Sequence, residues 1–207
     1  MSTKGIIFDW DGVVLDSIKI VYSGMRAVFN HFGVEPPSLA DFYKNYRQPY
    51  NHYYKKFGIN ADDAELRRIY FSAADSGRAE IFPEFKELLL ALKFLNLPVA
   101  IISSHSLDLI IEKLKRDNLE KEFAVIVGLA FDKVEPILDV CSCFGAKPEE
   151  VIFVGDMLSD MRDGTNAEVC AVGFDGGYGH YRALIKAGAR HCICRHAQIL
   201  SIIIKES

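Results

Sequence analysis

Short apolar runs punctuate the chain: Gly5-Ile6-Ile7-Phe8, then 98–102, 124–127, 151–154 and 169–173, and the more mixed His191-Cys192-Ile193-Cys194. They are rich in Val and Ile and lack polar alternation, which is the pattern of strands buried on both faces. Pro98 is acceptable there as the first residue of its strand. Helical periodicity fills the intervals. Phe85, Leu88, Leu89 and Leu92 recur at three- and four-residue spacing, as do Leu107, Ile110, Ile111 and Leu114. Strand alternating with helix predicts an α/β fold, a parallel sheet with helices on both faces. Sites on such sheets lie beyond the carboxyl ends of the strands.

Residues 17–82 break the rhythm. Ile18, Val21, Tyr22, Met25, Val28, Phe29 and Phe32 predict one amphipathic helix, ended near Gly33 and Pro36-Pro37. Further helical pieces are expected over 39–46, 49–57 and 62–78, and no convincing strand. Asp16-Ser17 is expected to cap the first of these helices. The division is thus a core of 1–16 and 83–207 with a small helical insert over 17–82.

Composition narrows the classes. Of 207 residues, 50% are hydrophobic and 25% charged, and the net charge of −4 favours neither nucleic acid nor an anionic membrane. No apolar run reaches the roughly 18–20 residues a membrane helix needs. The N-terminal stretch has no signal-peptide pattern, so a cytoplasmic protein is expected. Five cysteines, an odd count, fit reduced thiols. The C-x-C spacings at 141–143 and 192–194 fall short of the C-x₂₋₄-C of zinc sites. Cys141 and Cys143 would point to opposite sides of a helix.

Polar residues at the strand ends carry the chemistry. The first strand runs into Asp9-Trp10-Asp11-Gly12, and in an extended segment the two carboxylates face one side while Trp10 faces the other. Ser103-Ser104-His105 follows the second strand, Lys133 the third, and Asp156 and Asp160 the fourth. All should meet at one sheet edge. Magnesium takes hard oxygen ligands, one or two carboxylates plus a phosphate. A carboxylate can attack phosphorus, provided a cation and a lysine suppress its repulsion with the anionic phosphate. A second carboxylate can protonate the leaving oxygen and then activate water. Taken singly, Asp156 or Asp160 would read equally well as a helix cap, and Ser103 as a loop serine. Their joint occurrence supports the functional reading.

These residues resemble the haloacid dehalogenase-like hydrolases. Phe8-Asp9-Trp10-Asp11-Gly12-Val13-Val14 matches the family's first motif, D-x-D-G-[TV]. The strand ending at Ser103 is similar to the second, and Lys133 with Pro136 to the third, the usual K-P being loosened to K-V-E-P. Gly155-Asp156-Met157-Leu158-Ser159-Asp160 matches the fourth, G-D-x-x-x-D. The resemblance implies a Rossmann-like core and a helical cap over the site. Asp9 would be nucleophile and metal ligand. Asp11 would be general acid and base, and its backbone carbonyl a metal ligand. Ser103 and Lys133 would hold the phosphoryl group, with Ser104 and His105 near it. Asp156 would bind Mg²⁺, and Asp160 would support the metal site or the lysine. The substrate would be a small phosphorylated metabolite, and the overall look is similar to the phosphoglycolate phosphatase and β-phosphoglucomutase branch. Gly173–Gly179 also resembles a stretch of the former. Asp11 argues against a dehalogenase. A sugar-phosphate mutase and a non-catalytic phospholigand-binding regulator stay open.

Residues 43–56 hold five tyrosines with Lys44, Arg47, His52, Lys55 and Lys56, and no acidic residue. One reading packs the tyrosines and solvates the lysines. The other presents cations to the substrate's leaving group, with Arg47 preferred for its bidentate fork.

Overall fold

The computed structural model describes residues 2–45, 50–74 and 79–206; Arg47 lies outside them. The strands are β1 (Gly5–Phe8), β2 (Leu15–Asp16), β3 (Glu80–Ile81), β4 (Val99–Ile102), β5 (Val125–Val127), β6 (Val151–Gly155), β7 (Cys170–Phe174) and β8 (His191–Ile193). Six of them form one parallel sheet in the order β5-β4-β1-β6-β7-β8. β2 and β3 pair separately. They correct the expectation of no strand over 17–82, since Glu80 and Ile81 belong to one. Two residues carry no periodicity to read.

The chain runs outward from β1 to β4 and β5, then crosses back to β6 on the other side of β1. Strand order therefore reverses beside β1, and a crevice opens there at the carboxyl ends. Register sets its floor: Phe8 lies opposite Ile101 on one side and Val154 on the other. Asp9 and Asp156 leave the sheet on adjacent strands as a result.

Alternation along β1 distributes the helices. Ile7 faces α7 (Val134–Cys143), joining Ile137, Val140 and Cys141 with Ala100, Ile102 and Phe153 in one core. Phe8 faces the other way and meets Phe85 of α5 (Pro83–Phe94) edge-on at 5.0 Å. Farther along the Ile7 face, Ala171 of β7 packs with Met161 of α8 (Leu158–Asn166) and Leu184 of α9 (Tyr181–Lys186). Helices α6 (Leu107–Arg116) and α10 (Gln198–Glu206) follow β4 and β8. This is a Rossmann-like α/β fold with helices on both faces of the sheet. Cys141 is buried and Cys143 exposed, as their helix requires, and all five cysteines are free. No helix among the described residues is long and apolar enough to cross a membrane.

By compactness the chain divides into Met1–Asp16 with Ile81–Ser207, and Ser17–Glu80. The second unit holds α1 (Ile18–His31), α2 (Leu39–Asn45), α3 (Tyr50–Lys55) and α4 (Asp63–Ala73). α1 buries Met25, Val28 and Phe29, and the chain leaves it through Gly33 at φ +67°. Asp62 caps α4 by accepting from the Glu65 N–H at 2.8 Å. Ser17 stands at the cap position of α1, but its side chain makes no capping bond, because its backbone is already helical rather than extended. Phe29 lies among Tyr53, Tyr54 and Phe57 at centroid distances of 4.9–6.3 Å. Tyr53 and Tyr54 are buried while Lys55 and Lys56 are exposed. Here the packing reading of the tyrosines holds.

Candidate active site

The ladder of β1 extends one residue past the strand, with the Asp9 N–H donating to the Val154 carbonyl at 2.8 Å. The Asp9 side chain is thereby fixed at the crevice, and it is buried with Asp156 and Asp160. One ligand atom from each of these three carboxylates lies within 4.8 Å of the others. Trp10 turns into the core, and Asp11 is half-buried on the opposite side.

Lys133 enters from the start of α7. Its Nζ donates to Asp9 Oδ1 at 2.8 Å and to Asp160 Oδ1 at 2.7 Å, and it stands 5.6 Å from the Phe153 ring centre. Its backbone N–H donates to Asp163 Oδ2 at 3.3 Å. The other Asp160 oxygen accepts from the Met157 N–H at 2.9 Å. Both Asp160 oxygens are therefore engaged in holding the lysine and the turn after β6. Asp163 was not anticipated in the sequence. Its signal was its spacing, one helical turn beyond Asp160.

Asp156 Oδ2 accepts from the Tyr178 N–H at 2.6 Å. Among the described residues Asp156 Oδ1 has no hydrogen-bond partner, although it is buried. Two glycines let the backbone close around this side chain. Gly12 sits at φ +78°, and a Cβ there or at Gly177 would collide with Asp156 Oδ2. The loop after β7 thus belongs to the site through its backbone.

Ser103 is buried, and its Oγ accepts from the His105 N–H at 3.0 Å. Ser104 is exposed. The His105 ring turns to Asp11, with Nδ1 3.2 Å from Oδ2. The structure thus brings Asp9, Asp11, Ser103, His105, Lys133, Asp156 and Asp160 to the carboxyl edge of the sheet.

Electrostatics define what the site can hold. Burial pushes Asp9 up to about 7, with Lys133 opposing and the Asp160 charge adding. Burial, then the charges of Asp9 and Asp160, raises Asp156 well above the carboxylate range. Burial would lower Lys133, but Asp160 and Asp9 outweigh it and raise it. The bond to Asp11 raises His105 against burial. With all three carboxylates ionised, one ammonium would leave two negative charges uncompensated in a buried place, and the upward shifts of Asp9 and Asp156 reflect that cost. A hard divalent cation fits that deficit and the orphaned Asp156 oxygen.

The doubly wound sheet thus carries this carboxylate and lysine cluster at its switch point. Residues 6–174 match the profile of the haloacid dehalogenase-like hydrolases, and the chain belongs to that family. It is similar to a phosphoglycolate phosphatase of Synechococcus elongatus, 25% identical over 189 residues that cover 89% of each chain. It is also similar to the pyrophosphatase PpaX of Listeria welshimeri, 25% identical over 81% of each. A solved haloacid dehalogenase-like hydrolase from Streptococcus pneumoniae shares the fold with a TM-score of 0.82 at 21% identity, covering 97% of this chain and 98% of the other.

Proposed function

We propose that the chain is a magnesium-dependent phosphatase that hydrolyses a small phosphorylated metabolite through an aspartyl-phosphate on Asp9. The observation that carries this is the buried Asp9–Lys133–Asp160 chain beside Asp156, with its unmatched negative charge. A Mg²⁺ ion held by Asp9 and Asp156, with the Asp11 backbone carbonyl, would neutralise charge on the phosphoryl oxygens. Ser103 and Lys133 bind those oxygens. The Asp9 carboxylate attacks phosphorus as the bond to the leaving oxygen breaks, and Asp11 gives that oxygen a proton. Water then attacks the aspartyl-phosphate at phosphorus and passes its proton to Asp11. The bond to Asp9 breaks, and inorganic phosphate leaves.

The relatives named phosphoglycolate phosphatase and pyrophosphatase support a small, phosphate-bearing substrate. The free cysteines support a reducing, cytoplasmic setting. The test is hydrolysis of an aryl phosphate with Mg²⁺ and with excess chelator, followed by the stereochemistry at a chiral phosphorus. Two displacements give retention. Turnover unaffected by chelator, or inversion at phosphorus, overturns the reading.

A further inference from the structure

We infer that His105 is a positioning residue for Asp11: its imidazole ties down one carboxylate oxygen so that the other meets the leaving-group oxygen. The inference rests on the reading above, in which Asp11 protonates the leaving group.

His105 Nδ1 lies 3.2 Å from Asp11 Oδ2, and among the described residues it supplies the ion-pair partner of that carboxylate. A carboxylate only accepts, so Nδ1 carries the proton. The ring is delivered by a rigid turn. The His105 N–H donates to Ser103 Oγ at 3.0 Å, and the His105 carbonyl accepts from the Leu129 N–H at 2.8 Å. The Ser103 N–H donates to Val127 and the Ser103 carbonyl accepts from Ala130, at 2.9 Å each. Leu129 holds φ +57°, a conformation leucine rarely adopts unless its surroundings impose it. The segments after β4 and β5 are thus laced together, and the lacing aims His105.

Asp11 itself has less support. Its side chain is 29% exposed, on the turn after β1. A carboxyl group that must give a proton and then take one back needs a fixed orientation for both half-reactions. Oδ2 accepts from an N–H whether the group is ionised or neutral, since the neutral acid carries its proton on Oδ1. His105 can therefore hold Asp11 through both steps without moving. It also follows that Nδ1 is not available to the phosphoryl group.

The test is a leaving-group series, from nitrophenyl phosphate, which needs little proton assistance, to phenyl and alkyl phosphates, which need much. On the alkyl ester His105→Ala should lose about 10- to 100-fold in kcat/KM, which reports phosphoryl transfer to Asp9 and not the hydrolysis common to all esters, part of the 10²–10⁴ that general acid catalysis supplies. It should lose distinctly less on the nitrophenyl ester. His105→Asn, which keeps a donor near the Nδ1 position, should recover most of the loss and guards against a folding defect. In an Asp11→Asn background, His105→Ala should cost nothing further. Equal losses across the series, or additive losses in the double variant, overturn the inference. A wild-type chain inactive on every ester would instead overturn the phosphatase reading beneath it.

Discussion

Lys133 is the residue on which the charges of the site converge. Its ammonium touches Asp9 and Asp160, both buried, and its helix start is anchored by Asp163. Removing one partner of a buried ion pair leaves a desolvated charge, which costs far more than the net worth of the intact pair. Lys133→Met keeps the stem and deletes the charge. We expect it to abolish turnover and, by denaturant unfolding without metal at about pH 8, to lower stability by about 3–5 kcal/mol. The deficit should shrink at about pH 5, where the orphaned carboxylates take up protons. A loss that is the same at both pH values would mean that packing against Phe153, and not charge, is what Lys133 supplies.

At the scale of elements, the sheet was the most legible part of the molecule. A parallel sheet covered on both faces must be apolar on both, so its strands stand out as unbroken runs, and runs such as Gly5–Phe8 and 151–154 fall in β1 and β6. The carboxylates were legible because they interrupt such runs at the carboxyl end. Contacts made by backbone were not. The glycines of 176–179 were visible, but nothing in the sequence says that the Tyr178 N–H holds Asp156, since any residue offers an N–H. Nor did it say that His105 turns to Asp11, which depends on how two loops lace together. The glycine loop makes its own prediction. In Gly177→Ala the new methyl would collide with Asp156 and disturb the Tyr178 N–H contact that orients it, and loss of such a supporting contact typically lowers metal affinity by about 10- to 100-fold. Titration calorimetry with Mg²⁺ checks this, and unchanged affinity would remove the loop from the metal site.

Over the whole molecule, the same buried carboxylates set a pH dependence of stability that depends on metal. Without metal, Asp9 titrates in the folded chain at about 7, above its ordinary 3.8. Between those values the folded state binds more protons than the unfolded one. The stability this contributes is full below 3.8 and is lost as pH rises through about 7. Asp156 is shifted in the same direction. Groups shifted downward oppose this on the acid side, His196 and Asp117 among them. Burial holds His196 below its ordinary value despite its bond to the Val13 carbonyl, so its contribution is lost as pH falls below about 6.5. Asp117 is lowered, since hydrogen bonds from Lys86 and Lys113 outweigh burial, and its contribution is lost in stronger acid. Above about pH 6 the site carboxylates should therefore dominate, and the Tm of the chelated protein should fall between about pH 6 and pH 8. On the proposed function Mg²⁺ would bind the ionised folded form, so millimolar Mg²⁺ should raise the Tm at pH 8 and do little at pH 6. Asp156→Asn takes one carboxylate from the cluster and one source of repulsion from Asp9. It should flatten the fall in the chelated protein and abolish the gain from Mg²⁺. Scanning calorimetry of both proteins, with chelator and with Mg²⁺, checks all of these at once. A chelated wild type whose Tm rises over that interval would mean that Asp9 is ionised and matched without any metal, and that the charge deficit is not there.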